Sequence, residues 1–296
     1  MTPSAERAIS ESVQSIGRFS IHSRVAGENR VADQSALSLV HAEVGRYRLR
    51  LPASVEDRDE ACRLRFKVFN IELQEGLASS YVTGMDADQF DFFCDHLLVE
   101  DKLTRRVVGT YRMQSGDTAA RQIGYYSQQE FQLEPYEPLR PYVLELGRAS
   151  IDREHRAPEV LTLLWRGIAQ YSRHFGFRYL IGCSSLHSEE PSDGWVLYRL
   201  LDTFRTGPEF ETLPTAPYIC PRNWEQHDSK EADKATGSVP AVKVPRLLKA
   251  YLAIGALICS PPAWDRSFGT IDILTLLDLE ALLPAARNRF FGTTAS

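Results

Sequence analysis

No glycine-rich loop of the form GxxxxGK[ST] or GxGxxG occurs in the chain, so neither a P-loop nor a Rossmann turn is there to cradle a nucleotide. The G-x-S-x-G elbow of serine hydrolases is missing as well. Positive charge is not in excess: the formal net charge is -5, which gives no support to nucleic acid as a partner. The five cysteines are odd in number, widely spaced and form no CxxC pair, which argues against a disulfide framework or a cysteine-ligated metal. Four aspartates precede the His96 strand without the glycine and closing glutamate of an EF-hand, so no metal is expected. No apolar run reaches the length of a membrane span, and the first residues lack the apolar core of a secretory signal. The expectation is a cytoplasmic protein, soluble or peripheral.

What remains is an ordinary globular composition, 43% hydrophobic over 296 residues, enough for one large α/β domain. Residues 1–44 are rich in Ser, Ala, Glu and Arg without a sustained period and read as a flexible arm. Tyr47 to Leu51 alternates as a strand, and Ser54 with Asp57 begins a helix that places Arg65, Phe69 and Glu72 on one side. His96 to Val99 and Arg106 to Met113 read as a hairpin, with Arg112 in its second strand. Tyr125 to Leu133 reads as a short helix, Arg178 to Leu186 and Thr270 to Leu277 as strands, and Trp195 to Phe204 as a helix. Asp228 to Val239 is polar and reads as an exposed loop. From Pro245, Leu247 to Ile258 reads as one strongly apolar helix, either buried or touching the inner membrane. Six or seven strands interleaved with helices give an α/β (α+β) fold with a central mixed twisted sheet.

The chain is organised around Val143 to Gly167. Val143, Leu144, Leu146 and Ile151 form a strand pattern that Glu145 and Arg148 interrupt, and a core strand does not take up two charges for stability. A basic turn follows, with Arg153, His155 and Arg156, and then Pro158 opens a helix that runs to Gly176. A helix N-terminus beside basic side chains suits a phosphate.

Arg65, Phe69, Asp88, Asp91, Arg112, Glu145 and Arg148 match in order and local spacing the signature of acyl-homoserine-lactone synthases and related acyltransferases with a GNAT-like fold. The segments RFKVFNIEL, DQFDFFCDHLLVED, VVGTYRM, LELGRASI, LLWRGIAQY, YLIGCSSL and VPRLLKAYLAIGALICSPPAWDRSFGTIDILTLL resemble more specifically the ornithine N-alpha-acyltransferases that make lyso-ornithine lipid. The likeness spans Tyr47 to Gly292 and implies a GNAT-like acyltransferase domain at 45–292, with a C-terminal extension from about 208. It implies transfer of a 3-hydroxy fatty acyl group from acylated acyl carrier protein to the alpha-amine of ornithine, with no cofactor beyond the carrier's phosphopantetheine arm. Glycine, glutamine or lysine as acceptor, an acyl-homoserine-lactone synthase-like enzyme, and a silent acyl-carrier-binding module are the rival readings. The roles implied are Glu145, Glu72 and Arg148 at the reacting centre; Arg65, Phe69, Asp88, Asp91 and Arg112 around the acceptor; and Arg153, Arg156 and Ser184 toward the donor. The usual acetyltransferase pattern Q/R-x-x-G-x-G/A stands here as Arg153-Glu154-His155-Arg156-Ala157-Pro158, without glycine, which favours a single phosphate over coenzyme A. A different route, with His96 and Asp101 as an H-x-x-x-x-D pair, is the remaining catalytic alternative.

Overall fold

A computed structural model describes residues 40–222 and 242–291. The expected loop at Asp228 to Val239, and the expected arm up to residue 39, lie outside these residues. The order is β1 (Ala42–Val44), β2 (Tyr47–Arg50), α1 (Val55–Phe66), α2 (Ser80–Thr83), β3 (Asp95–Asp101), β4 (Arg106–Ser115), α3 (Gly116–Arg121), β5 (Val143–Ile151), α4 (Pro158–Phe175), β6 (Tyr179–His187), α5 (Pro191–Leu200), α6 (Arg246–Leu252), β7 (Leu257–Ile258), β8 (Ala263–Asp265), β9 (Thr270–Asp278) and α7 (Pro284–Phe291). Among the described residues, nine strands join one sheet in the order β1-β2-β3-β4-β5-β6-β9-β7, with β8 also paired to β9. Every pairing is antiparallel except β5 with β6. The sheet is therefore mixed, with helices on both faces, as the sequence led us to expect.

Strand alternation sorts the core into two layers. Leu97 and Val99 of β3 pack with Val160, Leu163, Leu164 and Ile168 of α4, while Leu98 between them packs with Ala61 and Leu64 of α1. Each such fully covered side chain contributes about 1.5–3 kcal/mol. Gly167 lets α4 approach closely, since a Cβ there would meet the Leu49 and Leu97 methyls at 2.9 and 3.0 Å. Pro158 at the first turn and Gly176 at φ +76° bound α4 as the sequence suggested.

Several expectations are corrected. Ala42 to Val44, read as part of the arm, pair with β2. Tyr125 to Leu133 is irregular apart from one 3-10 turn at Ser127–Gln129. The Trp195 helix starts earlier, at Pro191, because proline supplies a first-turn residue, and it ends at Leu200. The apolar run after Pro245 is not one helix: α6 stops at Leu252, Gly255 turns the chain at φ +109°, and Leu257–Ile258 becomes a strand on β9. Residues beyond 208 thus complete the sheet, supplying β7, β8 and β9. No described helix is long and apolar enough to cross a membrane.

Candidate active site

β5 and β6 pair in parallel only from Val143 to Glu145, opposite Tyr179 to Ile181. Beyond Glu145 the two strands no longer pair; Gly182 takes up the crossing, since a Cβ there would meet the Leu146 carbonyl oxygen at 2.3 Å. On its other side β5 shifts register against β4: Ser150 faces Thr110 and Gly147 faces Arg112, so Arg148 and Ala149 share the span of Tyr111. Within this bulge Arg148 adopts φ +51°, a left-handed conformation that a non-glycine residue reaches only at a cost of about 1–2 kcal/mol. Strands that part beside a bulge open a cavity of about 980 Å³, walled by β5, β6, β9, α4 and α6.

Three kinds of residue on its wall bear on a reaction with an acyl donor. Leu164, Leu180, Leu248, Leu276 and Leu277 are buried and apolar. Arg156, Lys243, Arg246 and Arg289 are exposed and cationic. Glu145, Arg148 and Arg112 sit among them as buried or half-buried charges.

Glu145 is 5% exposed. Its Oε1 accepts from Ser127 N at 2.8 Å and Ser127 Oγ at 2.5 Å, and its Oε2 accepts from Tyr126 N at 2.8 Å. Burial pushes its carboxyl above the usual range, against these hydrogen bonds and the Arg112 charge. One lone pair of Oε2 stays free of these bonds, which suits a carboxylate that takes up a proton. Arg148 lies against the rings of Phe69, Tyr126 and Phe268 at 5.8, 5.3 and 4.8 Å, and 3.7 Å from both Asp86 and Asp88.

The other predicted residues divide. Phe69, Arg112, Arg156 and Ser184 stand on the wall with Glu145 and Arg148. Arg65, Glu72, Asp88, Asp91 and Arg153 do not. Arg65 is fully buried; it donates through Nε to Asp86 at 2.9 Å and through both Nη atoms to Asp91 at 2.7 Å. Arg112 Nη1 donates to Asp88 at 2.6 Å and Asp91 at 3.3 Å. Asp88 also caps the 3-10 turn Gln89–Phe92, accepting from Phe90 N at 2.8 Å. This network underlies the wall, and its arginines are already satisfied. Glu72 does not face Arg65, because residues Lys67–Leu73 form a π-helix that breaks the expected three- and four-residue stacking. It pairs instead with Arg156, at 2.6 and 2.7 Å. Ser184 is buried with its hydroxyl 3.4 Å from Thr275 Oγ1.

His96 and Asp101 cannot act together. They occupy opposite ends of β3, about 17 Å apart at 3.3–3.4 Å per residue. His96 is buried, its pKa driven down to about 3 by burial and by Arg65 and Arg112 against the pull of Asp91, and Asp101 is engaged by Arg46 and Thr104. The cavity thiol of Cys183 is held well above its ordinary range by burial and Glu130, the reverse of an activated nucleophile.

Sequence reasoning did not find Glu130, Asp265 and Asp272, three buried acids on the cavity wall. Asp272 carried a usable signal, being a charge inside the apolar strand TIDILTLLD. Glu130 carried none, since it lies in irregular chain.

The family model of the acetyltransferase (GNAT) domain matches residues 64–166, the span from α1 to α4 that includes the bulged strand. Among solved structures the chain is similar to the acyl-homoserine lactone synthase LasI at TM-score 0.46 and 11% identity, covering 83% of this chain and 95% of that one. The L-ornithine N(alpha)-acyltransferase of Rhizobium meliloti (strain 1021) is 28% identical over 275 residues, 90% of this chain and 91% of that protein. That of Brucella abortus (strain 2308) is 30% identical over 256 residues, 83% of this chain and 89% of that protein. On a likeness of that extent, the chain belongs to the L-ornithine N(alpha)-acyltransferase family.

Proposed function

We propose that the protein transfers a 3-hydroxy fatty acyl group from the phosphopantetheine thioester of acyl carrier protein to the α-amine of ornithine, releasing lyso-ornithine lipid and the free carrier thiol. The observation that carries this reading is one cavity whose wall unites exposed cations, buried leucines and a buried carboxylate at the point where two strands part. The apolar leucines suit a fatty chain. Arg156, Lys243 and Arg246, with the first turn of α4, which has no side-chain cap, suit the single phosphate of a pantetheine arm. Ornithine as acceptor rests on the names of the similar proteins.

In this reading Glu145, directly or through one water, takes a proton from the α-ammonium, and the free amine attacks the thioester carbonyl. A C–N bond forms, the C–S bond breaks, and a proton passes to the departing thiolate. Backbone N–H groups of the β5 bulge are our candidates to hold the carbonyl oxygen as it gains charge. Arg148 carries a fixed positive charge beside them. The product is an amphiphile, so its release calls for a membrane surface, and α6 with its part-exposed Leu247 is the surface we assign. Absence of liposome flotation would count against that assignment.

The test is incubation with 3-hydroxyacyl carrier protein, or with the matching coenzyme A thioester, and an equimolar amino-acid mixture, followed by mass identification of N-acyl products. N-acylornithine from the carrier-bound donor is the expected result. A neutral amino acid as preferred acceptor would remove ornithine, and equal use of coenzyme A would remove the carrier.

A further inference from the structure

Glu130 follows the 3-10 turn that Glu145 holds, Asp265 ends β8, and Asp272 lies on β9. One carboxylate oxygen from each comes within 4.8 Å of the other two, and all three residues are buried on the wall of the cavity. Two of them have local partners. Asp265 Oδ1 accepts from Ser267 N and Phe268 N at 2.8 and 3.2 Å, capping the β8–β9 turn. Asp272 accepts from Thr270 Oγ1 at 3.0 Å and from Ser185 Oγ.

Glu130 differs. It is 3% exposed, yet its Oε2 has no hydrogen-bond partner among the described residues. Burial, and then Asp272 and Asp265, hold its carboxyl well above the usual range, while burial brings Asp272 up to about 6. Arg148 offsets both, but the same guanidinium also faces Asp86 and Asp88. A buried acid group this short of positive charge, with Glu130 Oε2 unpartnered, is relieved either by protonation or by a cation brought among the three carboxyls.

We propose that Glu130, Asp265 and Asp272 form the subsite that receives the distal ammonium of a diamino-acid acceptor and so select ornithine over amino acids with neutral side chains. The inference rests on the amide-forming reading above and adds the residues that would enforce its acceptor. A primary ammonium presents three donors and no acceptor, matching a site made of carboxylates alone. Arg148 acts on two members of this cluster and also lies 3.7 Å from Asp86 and Asp88, so the subsite has a cation near it for the acceptor's carboxylate.

The test compares ornithine with norvaline, which has the same carbon skeleton without the distal amine, under the same 3-hydroxyacyl carrier protein. The readout is the ratio of their kcat/KM values, in the unaltered protein and in Glu130→Gln and Asp272→Asn. We expect a ratio well above one, falling about 10- to 100-fold in each variant, the worth of a charge-assisted hydrogen bond. Ornithine should also raise the Tm of the unaltered protein more than norvaline does, a readout that needs no turnover and no variant. Equal use of the two acceptors by the unaltered protein, or an unchanged ratio in folded variants, overturns the subsite while leaving the acyltransferase reading standing. Acylation of no amino acid overturns both. Saturable binding of Mn²⁺, Mg²⁺ or Ca²⁺ alone, lost in Asp272→Asn, with a ratio that collapses on chelation, would make the cluster a metal site and also overturn the proposal.

Discussion

Replacing Arg65 by methionine separates two roles for the acids beneath the cavity. In the structure the guanidinium is fully buried and donates to Asp86 and, bidentately, to Asp91. Methionine fills much of the space but leaves two carboxylates, 3% and 4% exposed, without that partner. Removing one member of a buried pair costs about 3–5 kcal/mol. Against a total stability of about 5–15 kcal/mol, that is a large share. With a urea slope of about 2 kcal/mol/M, it moves the unfolding midpoint down by about 1.5–2.5 M. The pH dependence follows from Asp91. Burial alone would raise its carboxyl, but Arg65, with Arg112 and His96, overrides burial and holds it below the usual range. A depressed acid adds stability above its unfolded pKa of about 4 and loses it as pH falls toward the folded value. The gap between Arg65→Met and the unaltered protein should therefore be full at pH 7 and narrow below about pH 4. Adding Asp91→Asn to Arg65→Met should restore part of the loss at neutral pH. A folded Arg65→Met protein within about 1 kcal/mol of the original, with a raised KM for the amino acid alone, would refute this reasoning and return Arg65 to the substrate.

Arg156→Glu should raise KM for acylated carrier about 10- to 100-fold; pairing it with Glu72→Arg restores the ion pair but not the donor affinity, so full rescue by the swap would show the effect to be structural. Because the cavity thiol is held in its neutral form, protein quenched during turnover should show no acyl adduct on Cys94, Cys183 or Ser184 by mass; a trapped adduct would replace direct transfer with a two-step route. The ornithine-to-norvaline ratio should rise as pH increases through about 6, since Asp272 is neutral below that value and Glu130 also titrates above its ordinary range, with Arg148 the guanidinium that acts on both and the Cys183 thiol neutral. A ratio flat from pH 5 to 8 would detach selectivity from these acids.

What could be read from the sequence followed how local its cause was. α4 was legible because its period, its opening proline and its closing glycine all lie within the helix itself. Glu145 and Arg148 were legible for the same reason, as charges in a strand whose neighbours are apolar. The placing of Arg65 and Glu72 on one side of a helix was misjudged because a π-helix between them changes the spacing, and no residue type announces it. The run from Leu247 to Ile258 was misjudged because an apolar stretch does not distinguish helix from strand, and the turn at Gly255 decides it. Glu130 was out of reach, since its meaning depends on residues 135 and 142 positions away meeting it across the sheet.

Arg148 ties these observations together. A non-glycine residue with φ +51° within a strand is strained, and glycine at that position would relieve the backbone. The strain is held in place by three aromatic rings against the guanidinium and by Asp86 and Asp88 at 3.7 Å. None of those contacts satisfies the charge well: its Nε has no hydrogen-bond partner among the described residues, and its nearest carboxylates stand at 3.7 Å rather than at hydrogen-bond distance. By contrast Arg65 and Arg112, on neighbouring elements, are closely paired in unstrained chain. An arginine kept strained, half-buried and underused beside two well-paired ones is poor design for stability alone. It suits the role proposed above, a charge held ready for a carboxylate or a developing oxyanion in the cavity.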